Sequence, residues 1–251
     1  MISLRPSTVT VDWQLCRSMA QLSAEVYHTA NISAPETDVH VNVAHVNGHI
    51  LVGFRGSESI LNFLEDAEIW RQPLLWSADD LVAEVHHGFL ACFESVHQEV
   101  LHAVRNLVQE FPADEVYIYG HSLGGALDIF CAFEFYRQKL PVTGVYTFGC
   151  PRVGNDHFAR LYNAALGDRT FRVVNQNDIV PRLAPLETGY RHVGQEIFMP
   201  PFGSWVVNPN PLFKLFADGA GLWNAFKTRQ EVLAGNHFMA SYLAKMNRLH
   251  P

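Results

Sequence analysis

Residues 116–127 read V-Y-I-Y-G-H-S-L-G-G-A-L: four apolar or aromatic residues, a G-x-S-x-G turn, and the start of a helix rich in small residues. A strand that reverses abruptly into a helix forces the apical residue into strained backbone geometry. Gly120 and Gly124 remove the side chains that would hold strand and helix apart there. Ser122 stands at the apex with its hydroxyl projecting outward. The N–H of Leu123, at a helix N-terminus, points to where negative charge develops on an attacked carbonyl. The stretch therefore predicts a serine nucleophile at residue 122.

Working outward, His40–Val46 and His49–Phe54 are apolar-rich runs joined by Asn47-Gly48, a strong hairpin signal. Phe89, Phe93, Val96, Val100, Val104, Leu107 and Phe111 recur at helical spacing until Pro112 stops the pattern. After the elbow helix, which runs to about Lys139, strands are expected over Val142–Phe148 and Thr170–Asn175, with Tyr190–Met199 as the last. Strand, helix and strand in alternation imply a mostly parallel central sheet flanked by helices. Neither repeat nor linker divides the chain, so residues 1–251 are expected to form a single domain. Beyond Pro200, prolines and aromatics suggest irregular chain.

A serine hydroxyl is a weak nucleophile at neutral pH and requires a base, itself oriented by a third group. In folds of this kind the acid and then the histidine follow the serine in the chain. Asp178 leaves the end of the buried run F-R-V-V-N, whereas Asp156 and Asp168 lie in turn-like contexts and Asp218 is a further competitor. His237 falls in a loop, G-N-H-F, ahead of a short helical segment ending near Met246; His192 lies inside the expected last strand, and His250 is next to the end of the sequence. The second oxyanion donor is expected after the hairpin, where F-R-G-S ends in Ser57.

Composition bounds the alternatives. With 48% hydrophobic and 17% charged residues the chain is globular, and no apolar run is long enough to span a bilayer. A formal charge of −7 without a basic stripe argues against nucleic acid. Residues 1–10 lack the basic-then-apolar pattern of a secretory leader, so the expected compartment is the cytoplasm, or the exterior by a leaderless route. Cys16, Cys92, Cys131 and Cys150 are scattered and read as buried thiols. The 13 histidines form no helical H-x-x-x-H pair and no Cys/His quartet, so neither metal nor cofactor is expected.

The motifs F-R-G-S (54–57), N-F-L-E-D (62–66), V-H-H-G-F (85–89), G-H-S-L-G-G-A (120–126), F-G-C-P-R-V-G-N (148–155) and R-V-V-N-Q-N-D-I-V-P-R-L (172–183), with the surroundings of His237, run in the order found in class 3 lipases. Over roughly residues 50–242 the chain resembles that family, the fungal-lipase-like branch of the α/β-hydrolases. The resemblance implies Ser122 as nucleophile, Asp178 and His237 as its partners, and Ser57 with Leu123 as the oxyanion hole. It implies an ester substrate, acylglycerols first, with phospholipids and feruloyl-type or short-chain esters as alternatives on the same fold. A catalytically silent lipid-binding module is a reading from another class, and the intact Ser122, Asp178 and His237 count against it.

The family carries a short helical lid after F-R-G, to which Ser59–Trp76 would correspond. Ile60, Leu61, Phe63 and Leu64, with Ile69, Trp70, Leu74, Leu75 and Trp76, are interrupted by Glu58, Glu65, Asp66, Glu68 and Arg71. Such a segment suits transient contact with a lipid interface, and it suits an ordinary core-packed helix as well. Phe202, Trp205, Phe213, Phe216, Trp223 and Phe226 either line an acyl groove or pack down irregular chain.

Overall fold

A computed structural model describes residues 11–57, 70–76, 83–176, 178–182, 188–201, 203–214 and 235–248. The helix α1 (Trp13–Thr29) precedes strands β1 (Ile32–Ala34), β2 (Val39–Val46), β3 (His49–Phe54), β4 (Arg71–Pro73) and β5 (Glu84–His86). Helices α2 (His87–Glu94) and α3 (His97–Glu110) lead to β6 (Glu115–His121) and α4 (Leu123–Arg137). The chain continues through β7 (Gly144–Phe148), β8 (Gly154–Asn155), α5 (Asp156–Leu166) and β9 (Thr170–Asn175). Strands β10 (Tyr190–Arg191), β11 (Gln195–Met199) and β12 (Val206–Val207) precede α6 (Met239–Met246).

The main sheet has the order β1-β2-β3-β6-β7-β9-β11-β12. Its centre, β3-β6-β7-β9-β11, is parallel, and antiparallel strands close both edges. Strand alternation sorts side chains onto two faces. Val116 and Ile118 of β6 join a core built with α2, α3, α4 and α5, while Tyr117 and Tyr119 join one built with α1 and α6. The fold is thus the α/β-hydrolase arrangement of a mostly parallel sheet between helical layers, with β6 and its elbow at the centre.

The hairpin, the elbow helix and β9 fall where the sequence places them. Three features differ. The helical spacing from Phe89 to Phe111 is split, because Ser95 Oγ donates to Cys92 O at 2.8 Å and the Val96 N–H turns back to Phe93 O at 3.2 Å. Helix α3 then starts afresh. The run Tyr190–Met199 is likewise two strands: β10 joins a separate antiparallel sheet, β10-β8-β5-β4, and β11 joins the main one. Gly194, at φ +67°, makes the switch in a conformation that L side chains rarely adopt. Nor is β11 the last strand, since Val206–Val207 pairs with Ile197–Phe198 at the edge.

The expected lid residues Ile60, Leu61, Phe63 and Leu64 lie outside the described residues, together with everything from 58 to 69. The described end of that segment is not a lid helix. Residues Arg71–Pro73 form β4, Leu74 is fully buried, and Trp76 packs its ring against Phe93, Phe130 and Phe133.

Candidate active site

The site grows from the loops at the carboxyl ends of β3, β6, β7 and β9. Ser122 adopts φ +59° and ψ −122°, between the last residue of β6 and the first of α4. A non-glycine residue held there is strained by about 1–3 kcal/mol, which persists only where the surroundings over-determine it. The surroundings do so. The Ser122 N–H donates to Phe148 O at 2.8 Å across to β7, and a methyl group on Gly124 would collide with the Phe54 carbonyl and sit 3.0 Å from Arg55 O. Helix α4 can approach the sheet this closely only because residue 124 has no side chain.

His237 Nε2 lies 2.8 Å from Ser122 Oγ, and His237 Nδ1 lies 3.0 and 2.9 Å from Asp178 Oδ1 and Oδ2. Ser122 and Asp178 are fully buried, and His237 is 6% exposed. A buried carboxylate is costly unless hydrogen-bonded. Asp178 accepts from the Val180 N–H at 2.9 Å through Oδ1 and from the Tyr242 hydroxyl at 2.6 Å through Oδ2, besides the imidazole. The three residues expected to work together, 115 residues apart at the extremes, are therefore in contact.

Leu123 opens α4, so its N–H belongs to the first-turn amides that have no acceptor within the helix. Ser57 follows β3, the strand paired in parallel with β6, and Gly56 before it is pressed against the elbow: a methyl there would lie 2.7 Å from His121 O. The two expected oxyanion donors thus come from the first residue of α4 and from the loop that follows β3.

Other expected residues are engaged elsewhere. Asp156 pairs with Arg160 in the first turn of α5, and Asp168 pairs with Arg169 at 3.1 Å. His192 Nε2 donates to Pro181 O at 2.7 Å, and burial pushes its pKa well below the usual histidine value, aided by Arg172 and Arg152. Asp218, His250, Phe202, Phe216, Trp223 and Phe226 lie outside the described residues. Trp205 is a packing residue, set edge-on to Trp13 at 4.4 Å. All four cysteines are free and buried. Among the described residues no group of three or more His, Cys, Asp or Glu gathers as metal ligands do, and no helix is long and apolar enough to cross a membrane.

Sequence reasoning missed four supporting residues. Tyr242 carries no motif, since its role exists only once α6 docks. Asn175 Nδ2 donates to Asn236 O at 2.9 Å, tying the end of β9 to the loop of His237. His121 Nε2 donates to His237 O at 2.6 Å, and its ring lies 4.5 Å from that of His237. Gly149 has φ +62°, and a methyl there would stand 2.7 Å from Asp178 Oδ2 and 3.1 Å from the His237 ring. Gly149 was already present in the F-G-C-P motif, though its purpose was not.

The family model "Lipase (class 3)" matches residues 51–188. The chain is 31% identical over 185 residues to the secreted mono- and diacylglycerol lipase A of Penicillium cyclopium, covering 73% of this chain and 56% of that one. It spans about half the length of the curated relatives it matches. Among solved structures, the triacylglyceride lipase of Rhizomucor miehei superposes with a TM-score of 0.67 at 27% identity, covering 76% of this chain and 82% of that one. A triacylglycerol lipase whose catalytic centre is described as a serine protease triad superposes at 0.66 and 28% identity, covering 74% and 79%.

The naming of the Penicillium relative as secreted overturns the expectation of a cytoplasmic or leaderless protein. A secretory leader is cleaved and contributes nothing to the folded domain, so the pattern of residues 1–10 is a poor guide to compartment. With its elbow, its ordered motifs and more than half of its length matched, the chain belongs to the class 3 lipase family.

Proposed function

We propose that the protein is a carboxylic ester hydrolase acting on acylglycerols through an acyl-enzyme. The observation that carries this reading is the array from Asp178 through His237 to Ser122 Oγ, with hydrogen-bond distances of 2.8–3.0 Å, on a serine at φ +59°. Ser122 Oγ attacks the ester carbonyl as His237 Nε2 takes its proton. The N–H groups of Leu123 and Ser57 hold the tetrahedral oxyanion. Asp178 keeps the imidazole in the tautomer with Nδ1–H and stabilises its charged form. His237 then protonates the leaving alcohol, and water repeats the cycle to release the acid.

The acylglycerol assignment is supported by the names of the relatives, whose substrates are mono-, di- and triacylglycerols. Contact with a lipid surface is supported by Phe238 and Ile179, which are 60% and 36% exposed immediately after His237 and Asp178. In this reading residues 1–251 form one domain around the main sheet.

The test compares the protein with Ser122→Ala on a p-nitrophenyl ester series and an acylglycerol emulsion, alongside fluorophosphonate labelling. Hydrolysis and labelling that both vanish in the variant, with emulsions preferred to short soluble esters, are the expected result. A folded wild-type protein that neither hydrolyses esters nor takes the label would overturn the reading.

A further inference from the structure

Asp128 lies one turn into α4, directly behind the elbow, and the proposed mechanism leaves it unused. Its side chain is fully buried, and neither carboxyl oxygen receives a hydrogen bond. Its position is close to Ser122. A methyl carbon on Gly120 would lie 2.7 Å from Asp128 Oδ2, 2.7 Å from the Gly124 carbonyl carbon and 2.9 Å from the Gly124 oxygen. Carboxyl group and carbonyl thus crowd the same point, in the angle where β6 ends and α4 begins.

Among the described residues, the titratable groups within electrostatic reach of Asp128 are Cys131 from its own helix, Cys150 after β7, Tyr162 from α5 and, across the sheet, Tyr119 from β6. Each is uncharged in its neutral form, and burial pushes each one's pKa up. None supplies a cation. An ionised carboxylate here would be buried beside a carbonyl with no cation near it and no hydrogen bond received by either oxygen, a costly arrangement.

We propose that Asp128 is a neutral carboxylic acid that braces the elbow from behind, donating its proton to the carbonyl oxygen of Gly124 and holding the first turn of α4 against the end of β6. It is a positioning residue, since it touches neither substrate nor Ser122 Oγ, and the inference rests on Ser122 being the nucleophile. Burial pushes its carboxyl well above the usual range, in keeping with a proton held at neutral pH. The folded state then retains a proton that the unfolded chain releases above about pH 3.9. Rising pH therefore favours unfolding, by up to about tenfold in the equilibrium constant per pH unit until the folded carboxyl ionises.

The test combines infrared difference spectra with kinetics of Asp128→Asn and Asp128→Leu. The carbonyl stretch of a protonated carboxylic acid is expected in the wild type at neutral pH and absent from Asp128→Asn. The asparagine variant retains a donor, so its kcat stays within about twofold, and its stability falls less with rising pH. The leucine variant, apolar and of similar volume, folds but loses about tenfold in kcat and in fluorophosphonate labelling rate at unchanged KM. Asp128→Ala replaces it if leucine does not fold. Absence of the band, or a leucine variant labelled as fast as the wild type, overturns the proposal. Labelling that survives in Ser122→Ala instead overturns the nucleophile assignment, and the infrared band still reports on Asp128.

Discussion

His121, the residue before the elbow serine, donates from Nε2 to the main-chain oxygen of His237 at 2.6 Å. Because a carbonyl oxygen only accepts, Nε2 must carry the hydrogen, and Nδ1 is left buried without a partner. The elbow therefore fixes more than the serine. It also holds the backbone of the loop that presents the imidazole, so two groups 115 residues apart are positioned by a single turn.

Burial, reinforced by the neighbouring His237, lowers the pKa of His121 from 6.5 to about 3. The folded state resists a proton that the unfolded chain binds, so stability is lost as pH falls from about 6.5 towards 3, at up to roughly 1.4 kcal/mol per pH unit. His121→Gln keeps an N–H donor without titrating. Chemical denaturation across this range should give a shallower acid loss for the variant; parallel curves would show that His121 does not titrate there.

Gly149→Ala places a methyl 2.7 Å from Asp178 Oδ2 at a residue with φ +62°. Backbone strain of about 1–2 kcal/mol adds to displacement of the acid and imidazole. The expected kcat is lower by about two orders of magnitude, a size that small misplacements of reacting groups commonly reach. Steady-state kinetics with a soluble ester decides it, and a kcat within threefold of wild type would refute the argument.

Tyr242→Phe deletes the 2.6 Å hydrogen bond to Asp178 Oδ2 and removes the acceptor of the Asn175 N–H. A hydrogen bond to a charged group contributes about 1.5–3 kcal/mol, so a stability loss of that order is expected. A fall of about tenfold in kcat should accompany it, measured beside the melting curve. An unchanged kcat would make the tyrosine purely structural.

Lys245 Nζ donates to Asn175 Oδ1 and Met199 O, both at 2.9 Å, tying α6 to the ends of β9 and β11. Burial lowers its pKa from 10.5 to about 8. Between these values the unfolded chain holds a proton that the folded state has released, so this lysine adds stability as pH rises from about 8. Lys245→Met is expected to be less stable at every pH and to lack that upward contribution, which denaturation midpoints from pH 7 to 10 would reveal.

The residues determined by themselves whatever is decided within a few neighbours. The elbow needs glycines flanking a serine between an apolar strand and a small-residue helix, and the hairpin needs Asn47-Gly48 between alternating runs; both lie in continuous sequence. Asp178 and His237 were legible as candidates because each sits at a loop punctuated by strand or helix signals, in the order acid then histidine that folds of this kind use. What only the tertiary structure decided depends on partners distant in the chain. Two-residue strands such as β8, β10 and β12 have no period to read and exist through pairing. The split of Tyr190–Met199 follows from two competing sheets, and a hydroxyl bond at Ser95 breaks an otherwise helical spacing. Tyr242 reaches Asp178, and Asp128 its place behind the serine, only when separate elements close on a centre from which water is excluded. Sequence patterning records local backbone preference and which face is apolar, whereas the hydrogen bonds that aim and charge a buried site are set by packing.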